Sequence, residues 1–187
     1  MTGAYPPIPG VTVIGFTGHA RHGKDEATRL IHCADPAGTE RFAFSDALSA
    51  DCRVNAGMTR RDPRLLQEHG TRRRHEDSET WIRALYWRID EVRPRVALIT
   101  GVRNANEETF IRGLGGLLVR VVRVEADGAP FVADDRPRGH EAEAEIDGLR
   151  VDYVIRNVSG DLPAFGAAAL STYRTALARL RADGRLA

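Results

Sequence analysis

Lysine is almost missing from these 187 residues: of the 27 basic side chains, Lys24 is the only lysine and every other is arginine. A GC-rich coding bias accounts for arginine elsewhere, so the one lysine marks a place where a guanidinium would not serve. Cysteine is scarce too. Cys33 and Cys52 form no CxxC pair, which excludes a disulfide framework and a cysteine-based zinc site and fits a reducing compartment. A charge excess is lacking, and a formal net charge of +1 argues against wrapping nucleic acid or lying on acidic lipid. No apolar run reaches the roughly 18 residues of a membrane span. Met1 to Gly10 has neither the basic start nor the apolar stretch of a secretion signal, so no membrane partner and a cytoplasmic location are expected.

What is present suffices for one globular domain. A chain of this length buries roughly 70% of its unfolded surface and needs no staple. Residues 1–10, with three prolines and two glycines, read as a flexible leader, and residues 11–187 as the domain. Val11 to Phe16 reads as a buried strand, followed by a glycine-bounded loop and a helix from Lys24 to about Cys33. Arg41 to Phe44 suggests a second strand and Ser45 to Asn55 a helix. Leu65 to His69 reads as a short helical piece before the cluster Arg72, Arg73, Arg74. Trp81, Ile82, Leu85, Tyr86, Ile89 and Val92 recur at helical spacing, and Pro94 stops that helix. Strands at Val96 to Ile99, Leu117 to Val124 and Val151 to Ile155 follow, with a helix at Asn106 to Arg112 and a closing one marked by Phe165, Ala169, Tyr173, Leu177 and Leu180. Alternating strands and helices predict a three-layer α/β sandwich around a mostly parallel five-stranded sheet. Residues 126–140 are polar, proline-rich and aperiodic, and read as a mobile lid.

Gly18-His19-Ala20-Arg21-His22-Gly23-Lys24-Asp25 fits GxxxxGK plus a polar residue, between a strand and a helix. Glycines let the backbone close around a polyphosphate, amide N–H groups point inward, and the helix aims its positive end at the anion. Lysine supplies a compact charge to the outer phosphates. A chance glycine-rich turn is the alternative, and the flanking elements with the sole lysine weigh against it. The fold expected is therefore a P-loop NTPase sandwich. Asp25 stands where most such loops place Ser or Thr on Mg²⁺, and a carboxylate there can ligate the ion directly or through water.

Joined to this loop, several downstream segments resemble the deoxynucleoside monophosphate kinases of bacteriophages, a branch of the nucleoside monophosphate kinase-like P-loop proteins. Gly23-Lys24-Asp25 matches their GKD ending, and residues 42–48 (FAFSDAL) resemble an FADPL-type segment. Residues 65–71 (LLQEHGT), then Arg73, Arg74 and Trp81, resemble LLQxxGT, arginine, tryptophan. Residues 102–107 (VRNANE) resemble DVRFPNE, with Gly115, Gly116 and Val119-Arg120-Val121 following. Residues 140–143 (HEAE) resemble HxSE, and residues 152–157 (DYVIRN) resemble DYVIxN. The match runs in order over roughly residues 11 to 165. Three departures stand out: Gly101 replaces the aspartate of DVR, Arg72 the glutamate after Gly-Thr, and Glu26 the threonine after GKD.

The resemblance implies a cytoplasmic enzyme, in the host's cytoplasm if phage-encoded, that uses ATP and Mg²⁺ to phosphorylate a deoxynucleoside monophosphate. Gly18, His19, Ala20, Arg21, His22, Gly23, Lys24, Asp25 and Glu26 would cradle ATP, with Asp25 on the metal. Transfer to a phosphate oxygen needs positioning and charge neutralisation more than covalent help, and arginine suits the acceptor. Arg103, after the third strand, is the acceptor-phosphate residue, with Lys24 and Asp25 completing the catalytic set. Arg73 or Arg74 is the second arginine, the spacing leaving both open. Arg136 and Arg138 would close from the lid. Ser45 and Asp46 face the acceptor's sugar or base, or cap the next helix. Glu143 and His140 shape the acceptor pocket or hold the lid. His19 and His22 read as spacers, and Trp81 and Trp87 as core or groove wall. Other small P-loop kinases (dephospho-coenzyme A or shikimate type), a nucleotide-binding module without turnover, and a nucleic-acid-associated ATPase suggested by the arginine cluster are the rivals. Stable nucleic-acid binding is not expected, and a homodimer is neither required nor excluded.

Overall fold

The computed structural model describes residues 5–133 and 145–185. Its elements alternate as the hydrophobic pattern predicts: β1 (Thr12–Thr17), α1 (Lys24–Ala34), β2 (Thr39–Ala43), α2 (Phe44–Asn55), α3 (Pro63–Glu76), α4 (Thr80–Val92), β3 (Val96–Val102), α5 (Ala105–Gly113), β4 (Leu117–Val124), a 3-10 turn (Ile146–Gly148), β5 (Tyr153–Val158) and α6 (Leu162–Ala182). The five strands form one sheet in the order β2-β3-β1-β4-β5. Every pairing within it is parallel. Such a sheet is covered on both faces, which explains why its central strands carry unbroken apolar runs instead of alternation.

Strand period two sorts those runs into two cores. Val13, Phe42, Ala97, Ile99 and Leu118 meet residues of α2, α4 and α5 on one face. Ile14, Phe16, Val96, Leu98, Val119 and Ile155 meet α1 and α6 on the other. The result is a three-layer α/β sandwich. β1 lies in the middle, next to β3, and the chain turns from one half of the sheet to the other around it. The loops leaving β1 and β3 therefore emerge side by side at the carboxyl edge, where open α/β sheets bind ligands.

Three expectations are corrected. Residues 5–10 are no loose leader: Ile8 is buried in the first core, and Tyr5 packs 5.1 Å from the Tyr86 ring and 5.4 Å from Phe110. The arginine cluster does not follow a short helical piece but belongs to the 14-residue α3. The amino-terminal part of the expected lid is a tight turn folded back on β4: Glu125 N–H donates to Ala129 O at 2.8 Å, and Val124 bridges antiparallel to Pro130. Among the described residues, no helix is long and apolar enough to cross a membrane.

Candidate active site

β1 delivers the chain into the loop at residues 18–23, and Gly23 caps α1 in the left-handed region at φ 101°. Its glycines are needed for close approach. A Cβ on Gly18 would meet the Val121 carbonyl oxygen of β4 at 2.4 Å, and one on Gly23 the Asn157 amide nitrogen of β5 at 2.7 Å. Arg21 takes the same handedness at φ 60° without being glycine, a conformation that the flanking bonds must hold.

Those bonds come from neighbouring strands. Asn157 Nδ2 donates to His22 O at 2.9 Å, and His22 Nδ1 donates to Val121 O at 3.3 Å. Arg123 Nη1 reaches Arg21 O at 3.4 Å, while its guanidinium lies 4.1 Å over the Phe131 ring and its Nε donates to Ser159 Oγ. His22 is thus no mere spacer: it is buried and ties the loop to β4. His19 Nε2 lies 2.9 Å from Asp147 Oδ1. Lys24 is 7% exposed, and its Nζ reaches His19 O at 3.5 Å, so the loop curls over its own ammonium.

Asp25 and Glu26 behave differently although adjacent. The Asp25 carboxylate is exposed and makes no hydrogen bond or ion pair with a described residue; only its carbonyl is used, by Thr28 Oγ1 at 3.0 Å and Arg41 Nη2 at 3.1 Å. Glu26 turns along the helix to Arg29, at 2.6 and 2.8 Å, and that hydrogen bonding lowers its pKa. Among the described residues no group of three acidic, His or Cys side chains could hold a metal. Mg²⁺ does not need one, since it keeps waters and substrate phosphates as ligands and takes one or two carboxylates from the protein. Asp25 fits that role. Gly101, at φ 79°, has nothing within 4 Å of where its Cβ would lie, so the missing aspartate leaves open space.

Arg103 leaves β3 one residue past Val102, which pairs with Thr17 across a register shift. Glu107 holds the turn: its Oε2 accepts from Arg103 N–H at 2.6 Å and Asn104 N–H at 3.2 Å. Burial raises the Glu107 pKa against the pull of those two N–H groups and of the Arg74 and Arg103 charges. Of the α3 arginines, Arg74 adds its charge to that balance, whereas Arg73 is engaged elsewhere. Arg73 pairs with Glu76 at 3.0 Å and Asp51 at 3.9 Å, in a polar cavity between α2 and α3. Asn106 Nδ2 donates to Ser78 O at 3.0 Å, fastening α5 to the α3–α4 junction.

Asp46 accepts from Ala43 N–H at 3.1 Å, closing the first turn of α2, and lines a cavity of about 850 Å³ between α2, α4 and the β2 edge. Ser45 is exposed and does not line it. Arg136, Arg138, His140 and Glu143 lie outside the described residues. Sequence reasoning gave no role to Glu107, Arg120, Arg123, Glu145 or Asn157. Asn104-x-x-Glu107 was a readable helix-start pattern. No local pattern announces Arg120, whose Nη2 donates to Ile146 O at 2.8 Å and Leu149 O at 2.9 Å, or Glu145, which accepts from Ala105 N–H at 2.8 Å.

No family model and no curated protein matches the sequence. Ten solved chains match in fold. One is a candidate kinase from Chloroflexus aurantiacus J-10-fl: 13% of residues are identical, the alignment covers 92% of this chain and all of that one, and the TM-score is 0.52. At that identity the likeness bears on the fold alone.

Proposed function

We propose that this chain is a phosphotransferase that moves the γ-phosphoryl group of ATP to a deoxynucleoside monophosphate. The observation that carries the reading is the pairing of two segments on neighbouring strands: a glycine loop around the sole lysine after β1, and Arg103 after β3. An acceptor phosphate oxygen attacks the γ-phosphorus, the bond to the β–γ bridging oxygen breaks, and ADP leaves. Lys24 and the loop amides neutralise the donor, while the Arg103 guanidinium fork holds the acceptor in line. Mg²⁺, held by Asp25 and the phosphates, would supply further neutralisation of charge. The fold neighbour described as a candidate kinase agrees with this at the level of reaction class.

The test is a screen of all deoxynucleoside and ribonucleoside monophosphates, with dephospho-coenzyme A and shikimate, against Mg-ATP, reading ADP. Acceptor-dependent ADP with a deoxynucleoside monophosphate is expected, and Lys24→Met should abolish it without unfolding the chain. Turnover with another acceptor class would replace the substrate assignment. ATP binding without any turnover would leave a nucleotide-binding module, and undiminished turnover in Lys24→Met would overturn the loop assignment.

A further inference from the structure

Among the described residues, the most deeply placed carboxylate near the carboxyl edge of the sheet belongs to Glu107, 4% exposed, at the third position of α5. Burying an ionised carboxylate is expensive unless it is paired and hydrogen-bonded. Asp62, which caps the start of α3, does so from an exposed position. Glu107 is instead buried, and its bonds go to the peptide N–H groups of Arg103 and Asn104, which set where the Arg103 side chain departs. The charges of Arg103 and of Arg74, on α3, favour the ionised form against burial. One carboxylate oxygen, Oε2, thus fixes the backbone under Arg103.

The neighbouring contacts add to this purpose. Asn106 ties α5 to Ser78 O, and Glu145 accepts from Ala105 N–H, so the first turn of α5 is held from two further sides. Resting on the reading of Arg103 as the acceptor-phosphate residue, we propose that Glu107 is the positioning residue of the acceptor site: it holds the turn from which the Arg103 guanidinium addresses the acceptor phosphate. The donor loop has its own supports in Asn157, His22 and Arg123, none of which touches Glu107. Loss of Glu107 therefore acts on one substrate and spares the other.

Steady-state kinetics with ATP and each of the four deoxynucleoside monophosphates, on Glu107→Gln, Arg103→Ala and the double variant, tests this. Glutamine keeps the shape and one acceptor oxygen but removes the charge. Loss of a charge-assisted contact corresponds to roughly a ten- to hundredfold change in binding. Each single variant should raise the acceptor KM on that scale with the ATP KM unchanged, and the double variant should fall well short of the product. In Glu107→Gln, amide hydrogen exchange at Arg103 and Asn104 should also quicken. Faster exchange with an unchanged acceptor KM would reduce Glu107 to a helix cap, and equal rises in both KM values would make it a general structural residue; either overturns the proposal. If Glu107→Gln does not fold, Glu107→Asp, which keeps the charge one methylene short, carries the test, since its effect must fall on the acceptor KM. A wild-type enzyme active only on a different acceptor class would defeat the substrate reading, and the same variants measured with that acceptor would still decide the role of Glu107.

Discussion

Two adjacent carboxylates show how much a residue's surroundings decide. Glu26 is spent on Arg29, whereas the Asp25 carboxylate stays exposed next to Lys24. Asp25→Ala should therefore raise the Mg²⁺ concentration needed for half-maximal activity far more than it weakens metal-free nucleotide binding, as a magnesium titration of turnover beside calorimetry would show. Gly101→Asp has room for its side chain but must adopt φ near 79°, which costs roughly 1–2 kcal/mol for a residue with a Cβ. It should lower the melting temperature by roughly 2–8 °C while restoring part of the magnesium affinity lost in Asp25→Ala. Arg103 makes the opposite demand, for shape. Arg103→Ala should raise the acceptor KM or lower kcat/KM by one to two powers of ten, an expected loss of about 1.5–3 kcal/mol, with ATP affinity unchanged. Arg103→Lys should recover only part, because an ammonium lacks the planar fork. Separate ATP and monophosphate titrations check both, and a fall in ATP affinity alone would move Arg103 to the donor side.

α3 is the element whose extent the sequence conceals. Its 14 residues hold few apolar positions, so helical periodicity ends near His69 while the helix runs on to Glu76. What extends it is polar. Asp62 Oδ1 accepts from Arg64 and Leu65 N–H at 3.0 and 3.1 Å, Pro63 occupies the first turn, and Arg73, Arg74 and His75 lie in the last turn, where positive charge meets the helix dipole. Asp62→Ala should cost about 1 kcal/mol in chemical denaturation. Because α3 carries Arg74, it should also raise the acceptor KM slightly more than that of ATP. Strand-forming apolar runs and the glycine loop were legible because their signals are local: Leu117–Val124 is a strand at the limits its hydrophobicity predicts. Tyr153–Val158 starts later than the expected Val151: at Asp152 the side-chain carboxylate takes the Leu118 N–H, and it also meets Arg112 and Arg179, partners 40 and 27 residues away. Likewise Arg73 turns to Asp51 on α2, which no spacing within α3 reveals.

At the scale of the whole molecule, a buried carboxylate and a half-buried one lie at different levels of the sandwich and respond to acid in opposite senses. Burial works to raise the pKa of Asp152, but Leu118 N–H at 2.9 Å and the Arg112 and Arg179 guanidiniums prevail and hold it below the ordinary value. Asp152 joins the start of β4 to α5 and α6, so the stability it contributes is present above the unfolded-state pKa and is lost as pH falls through the folded one. Glu107 has its pKa raised by burial, against two N–H groups and two arginines. Its ionisation therefore opposes folding above the folded-state pKa, and that opposition vanishes as pH falls below the ordinary glutamate value. Thermal unfolding from about pH 7 down to about pH 3, across the carboxylate range, should separate the two. The stability gap between wild type and Asp152→Asn should be widest near neutrality and close with acid. For Glu107→Gln, the melting temperature relative to wild type should be highest near neutrality and decline with acid, since only the wild type is relieved by protonation. Acceptor binding runs against this trend in Glu107→Gln: the variant gains relative stability at neutral pH, where its acceptor KM is raised most. Parallel pH dependence of the two gaps would mean that one of the carboxylates has been given the wrong sign.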